Sequence, residues 1–344
     1  MRASWRIAIG TLAGATAALI WAVSLAIYQP FMRPHAYINS LGQDIPAYAS
    51  NNTYWPRETR QLAILLAFVG VILICRASIH GIAAGGIATI IWASVDIWLV
   101  RINVSGRSTA IWLTVGSIAA YTVVAGIAAR ISNGRAETTL ARHVTATVTV
   151  ILAAATLTVT TPWDEPITNP DQVRIENALL ILKAGLVVMF VVTAIALVIP
   201  QLTPARAKRM TSFLALAALA AWSATAAHEL TIIALIAVPV AAALAIAATR
   251  DVPPARLLSP AVACSLALPP SAISLYYVGS AVGSAMTSTE GYPAVNGADT
   301  DLSLSFMSLV IGLVLATLSY VTTRPGPRRA YMGHNATIAD EPSA

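Results

Sequence analysis

The residues of this chain that could do chemistry are a few ionisable groups set inside or beside long apolar runs. Asp96 falls near the end of one run, five residues before Arg101. Lys183 follows Glu176 by seven residues, two helical turns, so the two share a helix face. His228 and Glu229 form a tight turn between two further runs. A charge at the centre of a membrane span costs about 2.5–3.5 kcal/mol on insertion scales, so groups retained there are candidates for contact with a solute. The sequence therefore nominates Asp96, Glu176, Lys183, His228 and Glu229 as the lining of an outward-facing polar vestibule. Pro269-Pro270 interrupts another run and removes two backbone donors, which predicts a broken helix. Its outer half would start at Ser271 with the positive dipole end near mid-membrane, a position suited to an anionic group. Pro269, Pro270 and Ser271 complete the expected substrate-binding set.

Other constellations are sparser. A first long loop carries Phe31, His35, Tyr37, Asp44, Tyr48, Tyr54, Trp55 and Glu58, aromatic rings with carboxylates. Such a loop suits a sugar or lipid headgroup, and equally a helix lying in the membrane interface. Asp299 and Asp301 could ligate a cation through oxygens, although Asp301 also fits as a helix N-cap. No His-Glu-x-x-His, Cys-x-x-Cys, phosphate-cradling Gly-rich loop or nucleophile elbow occurs. We therefore expect no cofactor, no resident metal and no catalytic group, with Asp44 or Glu58 as the carboxylates to consider if the protein is an enzyme.

The elements that must position these groups are transmembrane helices. The chain is 57% hydrophobic and only 10% charged, with mean hydropathy +0.72, against roughly 25% charged in soluble domains. At about 20 apolar residues per span, ten segments qualify: residues 7–28, 61–76, 81–100, 109–130, 143–161, 176–200, 211–227, 231–249, 257–286 and 303–323. Arginine and lysine cluster in alternate gaps (Arg130 with Arg135 and Arg142; Arg206, Lys208 and Arg209; Arg250 with Arg256; Arg324, Arg328 and Arg329), and carboxylates concentrate in the others. By the positive-inside rule both ends are cytoplasmic. The expected fold is an all-α polytopic bundle of about ten spans: one membrane domain, 1–323, with outer loops at about 29–60, 162–175 and 287–302. A polar tail, 324–344, is expected to lack fixed structure. The first apolar stretch is too long for a signal peptide and reads as a retained span. Gly10/Gly14, Gly81/Gly85 and Gly279/Gly283 place small residues four apart, where backbones can approach.

Arginine-rich usage with abundant alanine points to a bacterial inner membrane. The expected partners are membrane lipids, and a second membrane protein or another copy of the chain; nucleic acid is not expected, because the basic residues flank spans. The cytoplasmic halves of the spans lack buried ionisable or amide groups, which argues against an ion-coupling relay. Three functions fit. The first is a permease-like carrier of a small or amphipathic solute. The second is an enzyme acting at the outer face on a lipid-linked substrate. Its layout is similar to that of polyprenyl-phosphate-sugar-dependent membrane glycosyltransferases, a resemblance that implies a loop carboxylate, here Asp44 or Glu58, as general base. The third is a non-catalytic subunit of an envelope complex.

Overall fold

The computed structural model describes residues 4–31, 37–38, 41–45, 51–133, 138–158, 170–226, 230–291 and 304–324. They form helices α1 (Ser4–Val23), α2 (Asn51–Ile74), α3 (Ile79–Arg101), α4 (Arg107–Ser132), α5 (Thr139–Thr158), α6 (Pro170–Val198), α7 (Pro204–Ala226), α8 (Thr231–Ala247), α9 (Leu258–Glu290) and α10 (Leu304–Thr322). The regular structure of the described residues is helical apart from a two-residue antiparallel bridge, Tyr37–Ile38 against Asp44–Ile45. Each expected segment is a helix. Among the described residues, seven helices are long and apolar enough to cross a membrane. The exceptions are α2, whose first turns carry Arg57, Glu58 and Arg60, α7, which opens with Arg206, Lys208 and Arg209, and the shorter α8.

Two departures from expectation matter for function. First, α2 begins at Asn51, ten residues earlier than residue 61. Arg57, Glu58 and Arg60 thus belong to a helix and not to the outer loop. Second, α9 does not break: it runs through Pro269 and Pro270. Proline's fixed φ is itself helical, and both rings sit on the exposed face of α9, where no neighbouring helix has to yield to them.

Packing centres on α2. It lies along α1 and touches α3, α4, α5, α6 and α10, while α5 packs between α6 and α10, and α7 pairs with α8. One apolar core joins α1 to α6; a second joins the later helices, with Val69 and Leu73 of α2 reaching into it. By contrast α3 and α4 are barely covered, with Ile87, Ile90, Trp98, Ile111 and Trp112 all exposed. A helix apolar on every side is what a lipid-facing position requires.

The close approach of α1, α2 and α4 depends on glycine. Tyr121 of α4 donates its hydroxyl to the Gly10 carbonyl at 2.7 Å. Its ring covers Gly14 so closely that a Cβ there would fall 2.1 Å from Cε1. Gly14→Ala should therefore displace the ring, break the Tyr121–Gly10 bond and cost about 1–3 kcal/mol. Gly116→Ala, with no atom within 4 Å of the added methyl, serves as the neutral control. Thermal unfolding in detergent would read both.

A buried ion-pair hub beside an apolar cleft

Four consecutive residues of α2, Arg57-Glu58-Thr59-Arg60, are all at most 1% exposed. Successive helical residues point about 100° apart, so this turn faces several neighbours at once. Arg57 reaches α9: its Nη1 donates to Glu290 Oε2 at 2.5 Å and its Nη2 to Thr287 Oγ1 at 3.1 Å. Glu58 reaches α6 and accepts from Lys183 Nζ at 3.1 Å. Arg60 reaches α3, its Nε donating to Asp96 Oδ1 at 2.8 Å, while its Nη1 donates to Gln29 Oε1 at 2.6 Å. Asp96 Oδ1 accepts a second bond from Trp21 Nε1 of α1 at 2.7 Å. Three cations meet three carboxylates, so the hub is neutral as a unit.

The chemistry of the hub follows from its burial. A lone buried charge carries a desolvation penalty of several kcal/mol, which a close, hydrogen-bonded partner offsets. Each pair here joins different helices, so the same attraction that neutralises the charges fixes where α3, α6 and α9 stand around α2. Among the described residues, Arg60 Nη2 and Glu290 Oε1 have no hydrogen-bond partner. The two are of opposite sense, a donor and an acceptor. No group of three or more His, Cys, Asp or Glu residues that could hold a metal occurs among the described residues.

Alongside the hub lies a cleft of about 360 Å³ between α1, α2, α3 and α4. Trp21, Phe68, Trp92, Trp112, Leu113 and Tyr121 contribute to its walls. Its hydroxyls donate within the chain: Thr89 Oγ1 to Gly85 O, Ser117 Oγ to Leu113 O and the Tyr121 hydroxyl to Gly10 O. The lining is accordingly apolar. Trp112 and Ile91, 73% and 59% exposed, stand on the bare outer side of α3 and α4, so the cleft opens laterally. Trp21 is the link between the two features. Its ring packs edge-on against Trp92 at 5.4 Å inside the cleft, and its Nε1 is bonded to Asp96 in the hub.

The sequence-nominated residues divide accordingly. Asp96 and Lys183 enter the hub, Asp96 through Arg60 and Trp21 while Arg101 is exposed, and Lys183 through Glu58; Glu176 lies on α6 two turns before Lys183. Glu58 joins them as the partner of Lys183. Asp44 is exposed, on the two-residue bridge. Pro269 and Pro270 are exposed and Ser271 is half-buried. At 1.5 Å per residue Pro270 is about 25 Å along α9 from Thr287, so these three do not join the hub. His228, Glu229, Asp299 and Asp301 lie outside the described residues.

The sequence reading missed Arg57, Arg60, Glu290, Gln29 and Trp21. One signal was present. Residues 61–76 are too few to span about 30 Å of hydrocarbon, and that shortfall required the helix to extend backwards through the charged run.

The fold and site together define a helical bundle of membrane-crossing dimensions with a laterally open apolar cleft. Comparison with protein families, with characterised proteins and with solved structures yields no match.

Removing one partner of a buried pair leaves an uncompensated charge and typically costs about 3–5 kcal/mol, whereas replacing both with apolar groups is far less harmful. Lys183→Met and Glu58→Leu should each strongly destabilise the purified protein. The double variant should recover most of that loss, and a double-mutant cycle on the unfolding free energy would measure the coupling.

Proposed function

We propose that this protein is a ten-span inner-membrane protein of bacterial type, both ends cytoplasmic, acting as a permease-like carrier of an amphipathic solute drawn from the bilayer. The observation that carries this reading is the apolar cleft, open sideways between α3 and α4, one of whose wall residues, Trp21, is hydrogen-bonded into the ion-pair hub. A cleft of this size falls at the lower end of ligand-sized cavities, about 300–1,000 Å³. Its predominantly apolar lining suits an acyl or isoprenoid segment and not a hydrophilic solute. A guest against Trp21 would press on the residue that helps hold Asp96, and Asp96 with its ion-pair partners ties α3 into the rest of the bundle. The enzymatic alternative has weaker support, because Glu58 is buried and ion-paired, and a general base must reach its substrate. A solid scaffold would not need the cleft.

Gly116 lines the cleft and faces open space. Gly116→Leu should therefore fill the cavity without loss of thermal stability, and should abolish uptake of a fluorescent amphiphile by proteoliposomes. Uptake at the unsubstituted rate would overturn the proposal. Sidedness is testable separately. Cys75 and Cys264 are buried, so in intact cells Leu41→Cys should be labelled from outside by a membrane-impermeant maleimide. Ala205→Cys should be labelled only after permeabilisation.

A further inference from the structure

A second polar cluster lies at the end of the bundle where α8 and α10 finish and α5 begins. Arg250, just beyond α8, donates from Nη1 to the Tyr320 carbonyl at 2.9 Å and to the Thr323 hydroxyl. It thereby caps the last turn of α10, where carbonyls lack partners and the helix dipole is negative. One guanidinium accounts for that role. A second is also present. Arg324 stacks on the half-buried Tyr320 ring at 5.0 Å from its centroid, and Arg250 stacks on the same ring at 4.4 Å. The two cations are therefore under 10 Å apart.

Neither cation has a carboxylate partner among the described residues. The nearest acidic side chain in sequence, Asp251, points to solvent and pairs with Arg206 at 3.1 Å. The first turn of α5 adds a further positive field. Thr138 Oγ1 accepts from Ala141 N at 3.2 Å there, and His143 of the same helix meets Ser319 at 3.0 Å and leans on Tyr320. Burial is the main force pulling the Arg250 guanidinium below its ordinary value, with Tyr320 opposing it and the Arg324 charge adding to it. Two like charges held on one ring, unopposed by any described anion, are stable where an anion from outside the chain completes them.

We propose that Arg250, Tyr320 and Arg324 form a binding site for a phosphate-bearing anion, supplied by the headgroup of an acidic phospholipid. Basic pockets between helix ends on the cytoplasmic side of a bilayer recognise such headgroups. The two arginines provide the charge, and the Tyr320 ring on which both stack holds them near each other. The site lies on elements that do not line the apolar cleft, so it stands independently of the transport reading.

The test uses the full chain in detergent, with phosphatidylglycerol, phosphatidylcholine or inorganic phosphate added, and reads thermal stability and bound lipid by native mass spectrometry. Phosphatidylglycerol should raise the melting temperature and remain bound, and phosphatidylcholine should do neither. Arg324→Gln, an exposed residue whose loss leaves the α10 cap intact, should weaken phosphatidylglycerol binding about fivefold, the factor for one interfacial cation. A matching shift with millimolar inorganic phosphate, lost in Arg324→Gln, would uphold the anion site but assign it to a soluble ligand. Equal response to both phospholipids, or undiminished phosphatidylglycerol binding by Arg324→Gln, would overturn the proposal.

Discussion

The cost of an unpaired charge in a low-dielectric interior is the constraint on which the α2 end of this molecule depends. Arg57, Glu58 and Arg60 sit in one turn of α2, buried from the molecular surface. Each must find an opposite charge on another helix, and the partners Glu290, Lys183 and Asp96 come from α9, α6 and α3. Apolar contacts between helices are directionless and tolerate sliding. Ion pairs at hydrogen-bond distance do not, so the turn sets both the order of the neighbouring helices and their height against α2. Exchanging such pairs for apolar residues can be neutral in stability. Their value here is in specifying one arrangement out of several that alanine-rich helices would otherwise allow.

The all-helical class and the approximate place of the apolar helices were legible in the sequence, because hydropathy over a 20-residue window depends on the bilayer and hardly on tertiary structure. The partners were not. Asp96 lies 36 residues from Arg60, and Lys183 lies 125 from Glu58. A single sequence offers only local neighbours such as Arg101 and Glu176, and nothing in it points to partners so far along the chain. The start of α2 was missed for a related reason. Three charges in four residues lower a hydropathy average, yet charges in mutually neutralising pairs can enter a helix bundle at little net cost. The Pro269-Pro270 pair misled in the opposite direction. The missing donors are real, but α9 continues through them on a face no other helix contests.

The cleft and the hub are two environments separated by one side chain. On the cleft side the indole of Trp21 offers apolar surface to Trp92; on the hub side its N–H holds Asp96. An indole is suited to such a boundary because one edge is polar and the rest is not. An amphipathic guest would meet the same division: hydrocarbon against the α1–α4 walls, and the more polar end towards the charged turn.

Among the described residues the α3–α4 hairpin is tethered to the body by three polar fastenings: Asp96 to Trp21 and Arg60, the Gly106 N–H to the Ala26 carbonyl, and Tyr121 to the Gly10 backbone. Between them the contact with α1 and α2 is apolar and incomplete. Under the proposed carrier function such a slat, pinned at separate points, would widen by bowing outward into the acyl chains. Its elastic stiffness, and with it the thickness and tension of the surrounding bilayer, would then govern how readily the slot admits a guest.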